Sequence, residues 1–350
     1  MPNLAVAVSR AGGIGFIGAG YHSDHLEDLL EEADDLLQKG LRDTPIKSGK
    51  GFPKILRVGV GFITWRLPGP CSLGHQDQRG YASRTKIWVQ VGCVSDAVEV
   101  VNAIDPDIIV VQGLDAGGHS LSRGASIVSL VPEINDKLQE LRPYPLTRAN
   151  ILAAGGISDS RGVAAAMALG AQGCALGTRF LASPESMVAY GYRKAILEAS
   201  DGGRTTVRTK VYDKVRDIHG WPEGYDGRGL INKTFLHHLR GLSDVKNREL
   251  YREELNRGDE GYGPNGKLTT YADTGVGLIT EDHTTTHQDQ WYTESRPDGR
   301  TVHHRIPQST IVYTIVLVQF LAFNITVIHS YIAATAGAVA PRISIVVPLD

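Results

Sequence analysis

The chain has 350 residues, 42% of them hydrophobic and 21% charged, and a formal net charge of −2. That is the composition of a globular protein with a full core, and it gives no electrostatic case for nucleic acid or an anionic membrane as partner. Cys71, Cys93 and Cys174 have no metal-site spacing and read as thiols of a reducing, cytoplasmic compartment, and Asn3–Arg10 is amphipathic rather than a signal peptide. In chain order, Leu4–Ala11 reads as helix. Gly13, Gly15 and Gly18 then spell GxGxxG, but a dinucleotide fingerprint needs a strand before it and a helix opening within it. Here the glycines bracket a strand, so the match reads as coincidence. Asp24–Lys39 has leucines at helical spacing (Leu26, Leu29, Leu30, Leu36, Leu37) opposite an acidic face. Strands are expected at Leu56–Phe62 and Lys86–Gly92, the latter followed by a helix opened by Ser95. Three more strand–helix pairs follow: Asp107–Gln112 with Ile127–Leu141, Ile151–Gly156 with Arg161–Leu169, and Gly173–Gly177 with Glu185–Ala199.

Repeated strand–loop–helix units without hairpin signals predict a parallel sheet with crossover helices. An open doubly wound sheet and a closed (β/α)8 barrel share that grammar. Glycines stand at the C-terminal ends of several strands (Gly92, Gly113, Gly155–Gly156, Gly177), and ligand chemistry spread over many strand ends favours the barrel.

The richest stretch is Val110–Ser120, VVQGLDAGGHS. An apolar run ends in a glycine-rich loop, and His119 follows Gly117 and Gly118. An imidazole at the mouth of a core is well placed for proton transfer near neutral pH. Gly155–Gly156 and Ala175-Leu176-Gly177-Thr178, at the ends of consecutive strands, suit a phosphate held by backbone N–H groups. Asp115 reads either as a partner of His119 or as a solvated loop residue, the blander reading being preferred. His237–His238, His303–His304, His283 and His287 lack Cys, Asp or Glu at ligand spacing, so they read as surface histidines and no metal is expected.

The segments AVSRAGGIGFIGAGY, VVQGLDAGGHS, LAAGGISDSRGVAAAMALGAQGCALGTRFLASPES and TVRTKVYDKVRDIHGWPEGYDGR resemble the nitronate monooxygenase (2-nitropropane dioxygenase) family, in its fungal form. The resemblance runs from about residue 3 to residue 280. It implies a TIM barrel holding FMN, with Gln112, Gly117 and Gly118 at the flavin and Gly155, Gly156, Ala175, Leu176, Gly177 and Thr178 at its phosphate. It also implies His119 as the active-site base. The implied reaction oxidises alkyl nitronates or nitroalkanes with O2 to a carbonyl compound and nitrite. Two other readings stand beside it: an NAD(P)H-dependent FMN reductase of enoyl-thioester or quinone type, and an inactive truncated barrel.

The chain departs from the family pattern in three places. It starts after the family's first strand, Trp65 to Lys86 is too short for the elements expected there, and the resemblance stops near Glu281. About two of eight strands are therefore missing, and an incomplete barrel is expected. The FMN-binding barrel is read as residues 1–280, with a small subdomain at about 200–280. A polar linker (281–305) and an apolar tail (306–350) follow. Within the tail, Ile311–Ala340 is apolar and long enough to be a membrane span. It reads as translated non-coding sequence or, in the alternative, as a membrane anchor.

Overall fold

A computed structural model describes residues 2–20, 25–43, 58–62, 86–141 and 149–282, and four short strand segments beyond them. In chain order the strands are β1 (Ile14–Gly20), β2 (Val58–Phe62), β3 (Trp88–Val91), β4 (Ile108–Gln112), β5 (Gly118–Leu121), β6 (Asn150–Ala154) and β7 (Gly173–Leu176). They continue with β8 (Thr206–Thr209), β9 (Tyr225–Leu230), β10 (Thr293–Ser295), β11 (Thr301–His303), β12 (Ile315–Val316) and β13 (Ile343–Val346). The helices are α1 (Pro2–Arg10), α2 (Leu26–Asp43), α3 (Val94–Ile104), α4 (Ile127–Leu141), α5 (Ser160–Ala168) and α6 (Thr178–Leu181). After them come α7 (Tyr190–Glu198), α8 (Gly202–Thr205), α9 (Val211–Arg216), α10 (Lys233–Leu239) and α11 (Asp244–Leu255).

Eight parallel strands close a barrel in the order β1-β12-β7-β6-β4-β3-β13-β2. The expected gaps are at β1/β7 and β2/β3, but they are filled. The apolar tail supplies β12 to the first and β13 to the second. An open barrel would leave four strand edges (β1, β7, β3 and β2) with rows of backbone N–H and C=O groups without partners, and short β-branched segments can pair on both sides. The barrel is therefore closed, against the expectation of an incomplete one. The stretch read as a linker contains the antiparallel pair β10–β11. Apart from Ile315–Val316, the candidate span Ile311–Ala340 lies outside the described residues, as does the short stretch 63–85. Among the described residues no helix is long and apolar enough to cross a membrane.

Strand side chains alternate between two cores, as the two-residue period requires. Phe16, Trp88, Ile108, Val110, Leu152 and Ala175 fill the barrel interior, with the Phe16 and Trp88 rings 5.1 Å apart. Val89, Val91, Ile109, Val111, Ile151 and Leu176 pack outward against helix residues such as Leu130, Ile134 and Val163. The same alternation continues to Gln90 and Gln112, so these two amides end up on the inward face at the C-terminal mouth.

The GxGxxG glycines lie in and beside β1, not at a strand-to-helix turn. A Cβ on Gly15 would lie 2.0 Å from the Ala5 carbonyl oxygen, so the residue permits α1 to pack directly on the strand. The Ser9 hydroxyl adds a bond from the Gly15 amide at 3.0 Å. Two boundaries differ from the sequence expectation. Cys93, not Ser95, occupies the N-cap of α3. The helix expected over Glu185–Ala199 begins only at Tyr190, because Met187 adopts φ +55°, a left-handed conformation that a helix does not continue through.

Five residues after β4, the chain enters β5, which pairs with β9 in a three-stranded antiparallel sheet of order β5-β9-β8. His119 therefore lies on a strand, not in a loop. The sheet is braced from the 267–274 segment, where Tyr271 and Tyr192 exchange two bonds through the Tyr192 hydroxyl.

Candidate active site

A cavity opens at the C-terminal ends of β3, β4, β6 and β7. Of the residues expected at a site, Gln112, Gly117, Gly118, His119, Gly155, Ala175, Leu176, Gly177 and Thr178 all line it. Gly156 is the exception. It stands behind the wall, where a Cβ would meet the Asp115 Cβ at 2.9 Å. Sequence reading missed Gln90, Tyr271 and Asp273, which also line the cavity. The signal for Gln90 was its parity with Trp88. Tyr271 and Asp273 left no signal, because only folding brings residues so distant in sequence to the strand ends.

Arg208 supplies most of the side-chain hydrogen bonds that hold the loop from Leu114 to Gly118. Arg208 on β8 donates to the carbonyls of Gly118 (3.0 Å), Asp226 (2.7 Å), Leu114 (3.1 Å) and Ala116. Arg228 adds a bond to Leu114 O at 3.3 Å. Burial, reinforced by Arg228, pushes the Arg208 guanidinium down to about 9. The carbonyl cage is what keeps that cation in place. Asp115 bonds the Thr274 hydroxyl at 3.1 Å, not His119.

His119 is 3% exposed. Its Nε2 lies 2.9 and 3.0 Å from the two carboxylate oxygens of Asp213 on α9, a residue that is itself buried. The Tyr271 hydroxyl donates to the same carboxylate at 3.3 Å. Trp221 stacks flat on the imidazole, with centroids 3.7 Å apart and planes within 2°. Burial lowers the pKa of His119 below the ordinary histidine value, and the bond to Asp213 only partly offsets this. The imidazole is therefore a neutral group near pH 7, able to accept a proton.

Across the cavity, Asp273 is fully enclosed. Its amide donates to the Thr178 hydroxyl at 3.0 Å, and Ser158 Oγ lies 3.5 Å from its Oδ1. Burial pushes its carboxyl up to about 6. Among the described residues no group of three His, Cys, Asp or Glu side chains is placed to hold a metal ion. His237 instead bonds Lys267, at 2.9 Å, and His238 lies 3.6 Å from Asp244. His283, His287 and His304 lie outside the described residues.

A family model for nitronate monooxygenase matches residues 76–220. A nitronate monooxygenase of Metarhizium robertsii is 39% identical over 305 residues, covering 79% of this chain and 82% of that protein. The chain belongs to the nitronate monooxygenase family. Within the family it is also 35% identical, over 314 residues, to the Neurospora crassa nitronate monooxygenase, covering 79% of this chain and 81% of that one. Among solved structures, FabK from Thermotoga maritima superposes with a TM-score of 0.56 at 26% identity, covering 83% and 87% of the two chains. A nitroalkane oxidase from Streptomyces ansochromogenes gives the same TM-score of 0.56 at 19% identity, covering 81% and 89%, a likeness of fold alone. Membership of the nitronate monooxygenase family makes the chain an oxidoreductase.

Proposed function

We propose that this chain oxidises alkyl nitronates, and nitroalkanes after loss of their α-proton, with O2 to a carbonyl compound and nitrite, using FMN held at the strand ends. One observation carries the reading. His119, Gln112, Gly155 and the Ala175–Thr178 loop, far apart in sequence, line a single cavity.

The cavity's chemistry fits such a group. Gln90 Oε1 is buried without a hydrogen-bond partner among the described residues, so the site holds an acceptor waiting for an N–H or O–H from a bound molecule. Gly118, with φ +68°, has nothing within 4 Å of where a Cβ would stand, and a side chain there would project into the open space. A flavin bound here would supply the electron acceptor that delivers electrons to O2. Gln90 and Gln112 would face its polar edge. The backbone of Gly155 and of Ala175–Thr178, with Gly156 behind it, would receive its phosphate. His119, neutral and walled by Trp221, would take the α-proton of a neutral nitroalkane. With a preformed nitronate it would orient the substrate. The free thiols Cys93 and Cys174 are in keeping with a reducing, cytoplasmic setting.

The test is turnover by the purified chain supplied with FMN, followed as nitrite release and O2 uptake. His119→Ala should keep the yellow flavin spectrum and lose at least about 10²-fold in turnover of neutral nitroalkanes. Wild-type rates in that variant would remove His119 as base. Rapid bleaching by NADH or NADPH, without nitrite from any nitro compound, would replace this reading with the reductase one.

A further inference from the structure

We propose that Asp213 is the positioning residue of His119, fixing the imidazole as the Nε2–H tautomer so that Nδ1 is the atom that accepts the substrate proton. The proposal rests on the reading of the cavity as a nitroalkane site and names the group that sets the base.

The geometry is one-sided. Among the described residues, the hydrogen bonds of His119 run through Nε2, and both are to Asp213. Nδ1 has no hydrogen-bond partner among the described residues, although the ring lines the cavity. A carboxylate accepts and does not donate when ionised, so the nitrogen facing it must carry the proton. The neutral ring then has its lone pair on Nδ1. Asp213 itself stands behind the cavity wall. It is held there by α9, whose Tyr212 hydroxyl bonds the Leu230 carbonyl.

Asp213 and Arg216 are three residues apart, and both turn toward Tyr271. The Arg216 guanidinium lies 5.5 Å from the Tyr271 ring centroid. The Tyr271 hydroxyl donates to Asp213 Oδ1, so that oxygen already has a donor besides Nε2. Gly227, paired with His119 across β5 and β9, leaves room for this arrangement. A Cβ there would lie 2.9 Å from the Tyr271 ring and 3.4 Å from the His119 ring. The charged or titratable groups bearing on His119 are thus Asp213 and Arg216 from α9, Arg208 from β8 and Tyr271 from the 267–274 segment.

Asp213→Asn is the informative change. Tyr271 continues to donate to the remaining oxygen, and that turns the new amide N–H toward Nε2. With the carboxylate charge gone and an amide N–H in place of Oδ2, 3.0 Å from Nε2, the imidazole is drawn to accept at Nε2 and carry its proton on Nδ1, which removes the lone pair from the cavity. The experiment uses the full chain loaded with FMN and 15N-labelled at histidine. Long-range 1H–15N spectra are assigned to His119 by difference from His119→Ala, and turnover is compared on a neutral nitroalkane and on its preformed nitronate. The wild type should show a protonated Nε2 and a bare Nδ1. Asp213→Asn should reverse the tautomer and lower the nitroalkane-to-nitronate rate ratio at least about 10²-fold.

An Nδ1–H tautomer in the wild type would overturn the proposal, and that measurement needs no variant to fold. So would an Asp213→Asn protein with the wild-type tautomer and an unchanged rate ratio. A chain that oxidises neither substrate, yet shows Nε2–H in the wild type and the reversal in Asp213→Asn, would sink the nitronate reading while supporting the role of Asp213.

Discussion

Arg208→Ala should be among the most damaging single changes in the molecule, although the residue touches no reacting group. Its guanidinium donates to four backbone carbonyls, three of them in the Leu114–Gly118 segment that leads into His119. A hydrogen bond from a charged donor contributes about 1 kcal/mol or more net, and a buried acceptor left unsatisfied costs about 1–3 kcal/mol. Leu114 O keeps the bond from Arg228. The three other carbonyls lose this donor, which sums to about 3–4 kcal/mol against a typical total of about 5–15 kcal/mol. Arg208→Lys should recover less than half of that. Two guanidinium nitrogens each serve a different pair of carbonyls, and a single ammonium cannot span both pairs. Urea unfolding followed by circular dichroism measures the loss, and an FMN titration at low denaturant measures the consequence at the cavity. An Arg208→Ala protein within about 1 kcal/mol of wild type and with unchanged FMN affinity would refute the idea that this side chain holds the loop.

Asp273 gives a pH dependence with a definite sign. Burial raises its pKa to about 6 in the folded chain, above the value of about 3.9 expected when unfolded. Its contribution is therefore fully present below about pH 4 and lost as pH rises through about 6. Asp273→Asn should be more stable than wild type by about 3 kcal/mol at pH 8, with the two proteins converging toward pH 4, as read from urea midpoints across pH. Parallel stability curves would contradict the assignment. Gly155→Ala and Gly118→Ala separate packing from occupancy. Gly155 has φ +101° and its Cβ would lie 2.9 Å from Gly113 O, so the alanine should cost about 2–3 kcal/mol and weaken FMN binding at least tenfold. Gly118→Ala meets open space and should cost only about 1 kcal/mol for its left-handed backbone, yet still weaken FMN binding, as a thermal melt and a flavin titration would show.

The sequence carried much of the site because the barrel strands and their glycine loops are local features. The run Ile108–Gln112 is strand because it is β-branched and apolar, and Gly113 ends it. Asp159 caps α5 by accepting from the amides of Arg161 and Gly162, as an Asp before a helical run should. Gln112 and the 175–178 loop reached the cavity for the same reason. Asp213 and Tyr271 did not announce themselves. Nothing in YDKVR or TTYAD distinguishes a buried carboxylate or phenol from a surface one until β5, β9 and α9 come together. Asp115 was a plausible partner for His119 by sequence distance, but the chain turns it toward Thr274.

The sequence by itself determined the parallel strand–helix alternation and the glycine loops at the strand ends, which follow from periodicity and glycine placement within short windows, and its motifs carried the resemblance to the family. Tertiary structure alone decided which carboxylate faces His119, which arginine clamps its loop, and what closes the barrel. The tail's Ile315–Val316 and Ile343–Val346 read as isolated apolar fragments until β1, β2, β3 and β7 present unpaired edges for them. Long-range partners are chosen by the hydrogen-bonding and burial demands of the whole fold, and no local window contains those demands.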